Sequence, residues 1–170
     1  PMGVFLDALD KVGIKIVPYY LFLAKLSETG MPHLEIGFEE YSFTSLGADD
    51  MKTIAAIPER RAAEEELLQR LNDGKLCYGV KKDGKLAAFI WVNLQECHYE
   101  GYMFPLKEDE AYLFDAFTLM AFRGRGIAPF MRYKTYRELS RSGRKKMYSI
   151  SNRLHKSSVK FKEKLDAEII

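Results

Sequence analysis

Cysteine and histidine are scarce in this 170-residue chain: Cys77 and Cys97 are the only thiols and His33, His98 and His155 the only imidazoles. The two cysteines form no CxxC pair, so the chain carries neither a disulfide framework nor the ligand spacing of a structural zinc site. Both read as apolar fillers rather than nucleophiles. No apolar run approaches the roughly 20 residues that span a bilayer. The N-terminus also lacks the basic, apolar and small-residue segments of a leader in series. These absences describe a soluble, cytoplasmic protein with no membrane partner. No repeat, low-complexity tract, sustained heptad or Pro/Gly/Ser-rich linker divides the chain, and its length suits one domain over residues 1–170.

What is present points to a folded core, because 47% of residues are hydrophobic and 29% charged. The net charge of +2 hides a strong asymmetry. Arg123 to Lys164 holds fourteen Lys and Arg against two Glu, a local +12, so the remainder sums to −10. The C-terminal third therefore presents either a solvated basic surface or a face toward something anionic.

Apolar spacing predicts a helix over Val4 to Val12 and a strand over Ile14 to Phe22, with Pro18 confining that strand to an edge or a bulge. A strand over Glu39 to Leu46 and helices over Ala48 to Ile57 and Arg60 to Leu71 follow, the last stopped by Asn72, Asp73 and Gly74. Leu76 to Val80 and Leu86 to Leu94 flank Asp83-Gly84, a strong hairpin signal, and the second of these strands reads as buried on both faces. Ala111 to Leu119 is an apolar strand interrupted by Asp115. A helix should run from the following glycine loop to about Gly143, then a strand over Lys146 to Ile150 and a helix over Leu154 to Leu165. This order predicts an α/β (α+β) domain whose mixed, mostly antiparallel sheet is flanked by helices.

The chemistry lies where the strand meets that helix, at Arg123-Gly124-Arg125-Gly126-Ile127-Ala128. Glycines permit backbone conformations closed to other residues and admit a ligand closely. The first amides of a helix have no internal partner and point outward at its positive end, a setting that suits a phosphate. Pro129 is compatible, since a first-turn position is where a missing donor costs least. A dinucleotide fold is the wrong reading, because the third glycine of GxGxxG and the early βαβ unit are both missing.

Arg123, Gly126 and Ala128 stand at the three defining places of Arg/Gln-x-x-Gly-x-Gly/Ala, and the stretch resembles that signature of the GNAT N-acetyltransferase superfamily. Phe117-Thr118-Leu119 resembles the end of the family's fourth strand, and Ser158 to Leu165 its last helix motif. The resemblance covers Leu76 to Ile170 in element order and leaves residues 1–38 as an N-terminal extension. It implies an N-acetyltransferase in which acetyl-CoA, or another acyl-CoA, is the co-substrate and an amine acceptor of unknown identity attacks the thioester directly. The implied pyrophosphate donors are amides of Gly124, Arg125, Gly126, Ile127 and Ala128, with Arg123 in the same loop. Thr118 and Leu119 are implied to pair with the pantetheine arm, and Asn152, His155 and Ser158 to lie toward the cofactor's far side.

This chain departs from the family's pattern at several places. Met120 stands where a proline is common, His155 where asparagine is, and Asp166 where glycine is usual. Lys162 stands where many members place the tyrosine that protonates the CoA thiolate, so no general acid is carried over. Asp115, Glu96 and His98 are candidates by residue type for the amine's proton, with Asp115 first because a carboxylate in an apolar strand needs a partner or a purpose. The family's sixth strand falls where the chain stops at Ile170; it is absent, replaced by the N-terminal extension, or lost to truncation.

Two alternatives stay open. One is an acyl-CoA-binding domain without turnover. The other is a basic nucleic-acid-binding module using Arg141, Arg144, Lys145, Lys146, Arg153, Lys156 and Lys160 with stacking from Tyr133, Tyr136 and Tyr148. The acidic remainder and the absence of a nucleic-acid motif count against the second.

Overall fold

The structure, a computed structural model, describes residues 19–25, 38–99, 102–152, 162 and 167–170. The helices read over Val4 to Val12 and Leu154 to Leu165 lie outside the described residues, apart from Lys162. A strand β1 (Tyr19–Lys25) is followed by β2 (Tyr41–Ser45), helices α1 (Ala48–Ala55) and α2 (Glu64–Asn72), and the hairpin β3 (Leu76–Lys82) and β4 (Lys85–Asn93). A small pair, β5 (Glu96–Tyr99) and β6 (Tyr102–Pro105), precedes the long β7 (Glu110–Thr118). A 3₁₀ turn (Met120–Phe122), helix α3 (Ile127–Arg141), β8 (Lys146–Asn152) and β9 (Ala167–Ile169) complete the order.

Among the described residues, seven strands form one sheet in the order β2-β3-β4-β7-β8-β1-β9, and β5-β6 form a second. Every described pairing is antiparallel except β7 with β8. That exception follows from α3, the crossover that joins two parallel neighbours. The α/β sheet architecture read from the sequence is the one found.

The hairpin turn carries positive φ at both Asp83 (49°) and Gly84 (73°), the twist that suits a two-residue connection. From Leu86 onward β4 is buried on both faces. Val80, Ala88, Ile90 and Val92 meet Ile127, Phe130, Met131 and Leu139 of α3 in one core. Phe89 and Trp91 pack with Met51, Ile54 and Leu67 of α1 and α2 in the other.

Three expectations need correction. Helix α2 begins at Glu64 rather than Arg60, because Arg60 is drawn away into ion pairing with Asp115. The β5-β6 pair was not anticipated; its strands are only four residues each, too short for a period-two signal to emerge. A final strand does exist, three residues long, but it pairs with β1, which itself lies beside β8. The N-terminal segment therefore takes the place next to β8, and β9 completes the edge.

Gly79 in β3 faces Leu46, whose side-chain carbons lie 2.8 Å from where a Cβ would stand. Gly79→Ala should lower stability by about 1–3 kcal/mol through overpacking, read as a fall in the urea midpoint at unchanged m-value.

Candidate active site

Strands β7 and β8 are paired only from Glu110↔Lys146 to Leu113↔Ser149. Beyond that point β7 continues along β4 to Thr118, and β8 continues along β1 to Asn152. The two therefore part, opening a wedge through the sheet. The cause is visible in β7, whose register against β4 shifts between Phe114 and Phe117, with Asp115 at a positive φ of 46°. A bulge of this kind adds a residue, bends the strand and re-aims the side chains beyond it. Asp is one of the few non-glycine residues that tolerates this conformation.

The wedge holds a cavity of about 510 Å³. Phe114 to Thr118 form one wall and Ile150, Ser151 and Asn152 the other, while Ala128, Met131 and Arg132 of α3 close one side. Tyr19 and Tyr99 form a further wall, edge to face with ring centroids 4.8 Å apart. The unanticipated β5-β6 pair thus contributes to the site through Tyr99.

The glycine loop stands at the end of β7. Gly124 and Gly126 have φ of +74° and +75°, which bring the chain from the 3₁₀ turn into α3. The first backbone bond of α3 runs from the Phe130 amide to the Gly126 carbonyl (3.2 Å), leaving the Ile127 and Ala128 amides outside the helix's own ladder. Arg123 does not extend outward: its Nε donates to the Thr118 carbonyl (3.0 Å), and its guanidinium lies 5.3 Å from the Phe117 ring centroid. It braces the loop against the strand it leaves. Leu119 donates its amide to the Ala87 carbonyl (2.9 Å) and accepts from the Phe122 amide (2.9 Å), so its backbone is bonded within the protein.

Asp115 accepts from two arginines, Arg60 Nη2 at one oxygen and Arg70 Nη1 at the other (2.7 Å). All three side chains are largely buried. Arg60 lies over Phe117 at 5.4 Å and Arg70 over Trp91 at 5.3 Å, aromatic faces that favour a cation. Arg60 was not anticipated, because an arginine before an Ala/Glu-rich segment reads as a helix start.

Lys162 also lines the wedge, 2% exposed, with Nζ donating to the Ile150 carbonyl (3.0 Å) and lying 4.9 Å from the Phe22 ring centroid. Burial, aided by the charge of Arg132, pushes its pKa down to about 6. Arg132 falls on the same face of α3 as Ala128, a spacing of four that signals a shared face.

Of the site residues read from the sequence, Asp115, Thr118, Ala128 and Asn152 come together at the wedge, Arg123 to Gly126 form the loop beside it, and Ile127 opens α3. His155 and Ser158 lie outside the described residues. His98 is exposed on β5, and Glu96 of the same strand is absent from the wedge wall. Cys77 and Cys97 are buried, which raises both thiols, Cys97 to about 11.

The nucleic-acid reading meets a physical obstacle. Tyr133 and Tyr136 are each 2% exposed and offer no face for a base, and Tyr148 is held by Glu110 and Phe104. Arg144 donates to the Glu110 carbonyl (2.9 Å), Lys146 pairs with Asp109 and Glu110, and Arg141 with Glu138. Arg153, Lys156 and Lys160 lie outside the described residues. No helix among the described residues is long and apolar enough to cross a membrane, and no cluster of His, Cys, Asp and Glu there could hold a metal.

The chain belongs to the acetyltransferase (GNAT) family, whose model matches residues 42–165. No curated protein sequence matches it. Among solved structures, the ribosomal-protein-S18-alanine N-acetyltransferase of Escherichia coli is 19% identical with a TM-score of 0.60, over 74% of this chain and 76% of that one. A GNAT-family acetyltransferase from Novosphingobium aromaticivorans is 19% identical with a TM-score of 0.58, over 92% of this chain. The chain spans 62% of that protein's length, less than two thirds. The glucosamine N-acetyltransferase region of a fungal multi-domain β-N-acetylglucosaminidase is 12% identical with a TM-score of 0.71, over all of this chain and 22% of that one. These likenesses establish the fold.

Two measurements probe the charges of the wedge. Removing the Asp115 charge leaves two guanidinium groups together, so Asp115→Asn should cost on the order of 3 kcal/mol. Adding Arg60→Ala should recover part of that loss, a coupling that a double-mutant cycle on urea midpoints detects. For Lys162, the unfolded amine holds its proton up to about pH 10.4, whereas the folded one releases it near 6. Between those values the unfolded chain binds more protons, so this residue's contribution to stability rises with pH across the window. Lys162→Met should therefore stabilise fully at and below about pH 6, the gain shrinking as pH rises toward about 10.4.

Proposed function

We propose that this chain is an N-acetyltransferase that binds acetyl-CoA, or another acyl-CoA, and passes the acyl group directly to an amine. The observation that carries the reading is the wedge: two parallel strands that stop pairing at a bulge, with a glycine loop and free helix amides beside it. The open edge of β7 offers backbone groups to an extended amide-bearing chain. The Ile127 and Ala128 amides, at the positive end of α3, offer donors to a phosphate. The donor set thus fits the pantetheine and pyrophosphate of CoA, and Arg132 together with the basic loop adds favourable charge.

Each residue acquires a role within that reading. Gly124 and Gly126 shape the loop, Arg123 ties it to Thr118, and Thr118 and Asn152 face each other across the wedge. Asp115, each oxygen already accepting from a guanidinium, maintains the bulge and holds Arg60 at the wall; that duty replaces proton abstraction. Phe114, Phe117, Tyr19 and Tyr99 exclude water from the space where the thioester and amine meet. Such exclusion strengthens every electrostatic interaction there.

Calorimetric titration with acetyl-CoA and with CoA tests the reading, beside Ala128→Glu. Gly126 is the poorer position for this test, since its positive φ and a Phe38 carbon 3.2 Å from a would-be Cβ strain any replacement. A glutamate in the first turn of α3 suits the helix dipole but places a carboxylate where phosphate is expected. Wild type should bind both ligands, and the variant should bind them at least about tenfold more weakly, or ~1.4 kcal/mol, with its melting temperature preserved. No binding by wild type overturns the reading.

A further inference from the structure

Resting on that reading, we propose that the amine acceptor is a small amino acid, held by its carboxylate on Arg60. The cavity is lined from both faces of the sheet, and the two faces differ. Residues that alternate along β4 separate them: Ala88, Ile90 and Val92 pack with α3, whereas Phe89 and Trp91 pack with α1 and α2. The α3 face carries the Ile127 and Ala128 amides and Arg132, the groups assigned above to the cofactor. Arg60 lines the cavity from the other face, its guanidinium 5.7 Å from the Phe89 ring centroid and 5.4 Å from that of Phe117. An acceptor that approaches the thioester opposite the cofactor's phosphates therefore meets Arg60.

Arg60 is also the guanidinium with donors to spare. Arg70, its neighbour on Asp115, spends Nη1 on that carboxylate and Nη2 on Glu66, each at 2.7 Å, and is absent from the cavity wall. Arg60 gives only Nη2 to Asp115, and its Nε is buried without a hydrogen-bond partner among the described residues. Much of its donor fork is thus uncommitted beside aromatic rings that exclude water, where a charge-assisted bond to an anion is strong. The planar fork matches a carboxylate.

The same wall selects against other amines. Among the described residues, its ionisable groups are Arg60, Arg132, Lys162, Asp115, Tyr19 and Tyr99. Asp115 is the one carboxylate of that set, and each of its oxygens already accepts from a guanidinium. A polyamine or a polycationic amino sugar would set further ammonium groups against Arg60 and Arg132, a repulsion that an amino acid avoids. A cavity of about 510 Å³ that must also admit the thioester suits a small acceptor.

The test follows thiol release from acetyl-CoA with the common amino acids, each beside its carboxamide, and with spermidine. For wild type, one or more amino acids should be acetylated with a kcat/KM at least about tenfold above that of the matching carboxamide and of spermidine, the scale of a hydrogen bond to a charged group. Arg60→Gln should raise KM for that amino acid and bring acid and carboxamide together, with kcat changed far less. Arg60→Lys should restore part of the preference. Arg70→Gln separates recognition from support, because it removes the other bond to Asp115 without altering the cavity wall; the preference should stay as in wild type. A wild type that treats acid and carboxamide alike, prefers spermidine or acetylates no amino acid overturns the proposal. So does a preference that survives Arg60→Gln, or one that Arg70→Gln erases to the same degree. Failure of wild type to bind CoA by calorimetry is a separate result, and it removes the acyltransferase reading itself.

Discussion

The parting of β7 from β8 after Leu113 and Ser149 is the constraint on which the site depends. A parallel pair of strands normally continues until one of them ends. Here both continue, each satisfied on its outer side by another neighbour, β4 for one and β1 for the other. The inner edges are left facing a cavity rather than each other. Asp115 sits at the turning point, in a left-handed conformation that costs roughly 1–2 kcal/mol for an L-residue. Two arginines, Arg60 and Arg70, hold its carboxylate there. Without that anchor the bulge would have little to oppose its relaxation into a regular ladder, which would close the wedge.

The same arrangement takes up part of the uneven charge along the chain. Among the described residues, several basic side chains of the C-terminal third are engaged within the protein. Arg144 and Lys146 both reach Glu110 at the start of β7, while Arg141 pairs with Glu138 within α3. Arg132 and Lys162 are drawn inward to the cavity wall. Burying two cations near one another is costly, and the cost falls on the group able to shed its proton. Lysine can do so and arginine cannot, which is why Lys162 carries the displaced pKa.

Some elements were legible because their signals are local. The hairpin around Asp83-Gly84 is written in two adjacent residues, and the doubly buried β4 in a run of apolar ones. The glycine loop announced itself through a few neighbouring residues, and the structure puts Gly124 and Gly126 in the positive-φ region for which glycine is suited. Other features depended on partners far away in sequence. Arg60 could not be separated from the start of α2 without knowing that Asp115, fifty-five residues later, would bind it. The order in which β1 and β9 line up beyond β8 was equally hidden, since an edge strand's neighbour is not encoded in its own pattern.

The sequence by itself determined the secondary structure of the central hairpin, the strand-loop-helix that presents free amides, and the resemblance that names a family. Each of these follows from residues in contact along the chain, through turn chemistry, apolar period and capping. Only the tertiary structure decided that Asp115 is an anchored bulge, that Tyr19 and Tyr99 wall the cavity, and that Lys162 is buried beside Arg132 with its amine near neutrality. A wedge is the failure of two strands to pair, and a pKa shift is the loss of water around a charge. Both are set by neighbours brought from elsewhere in the chain.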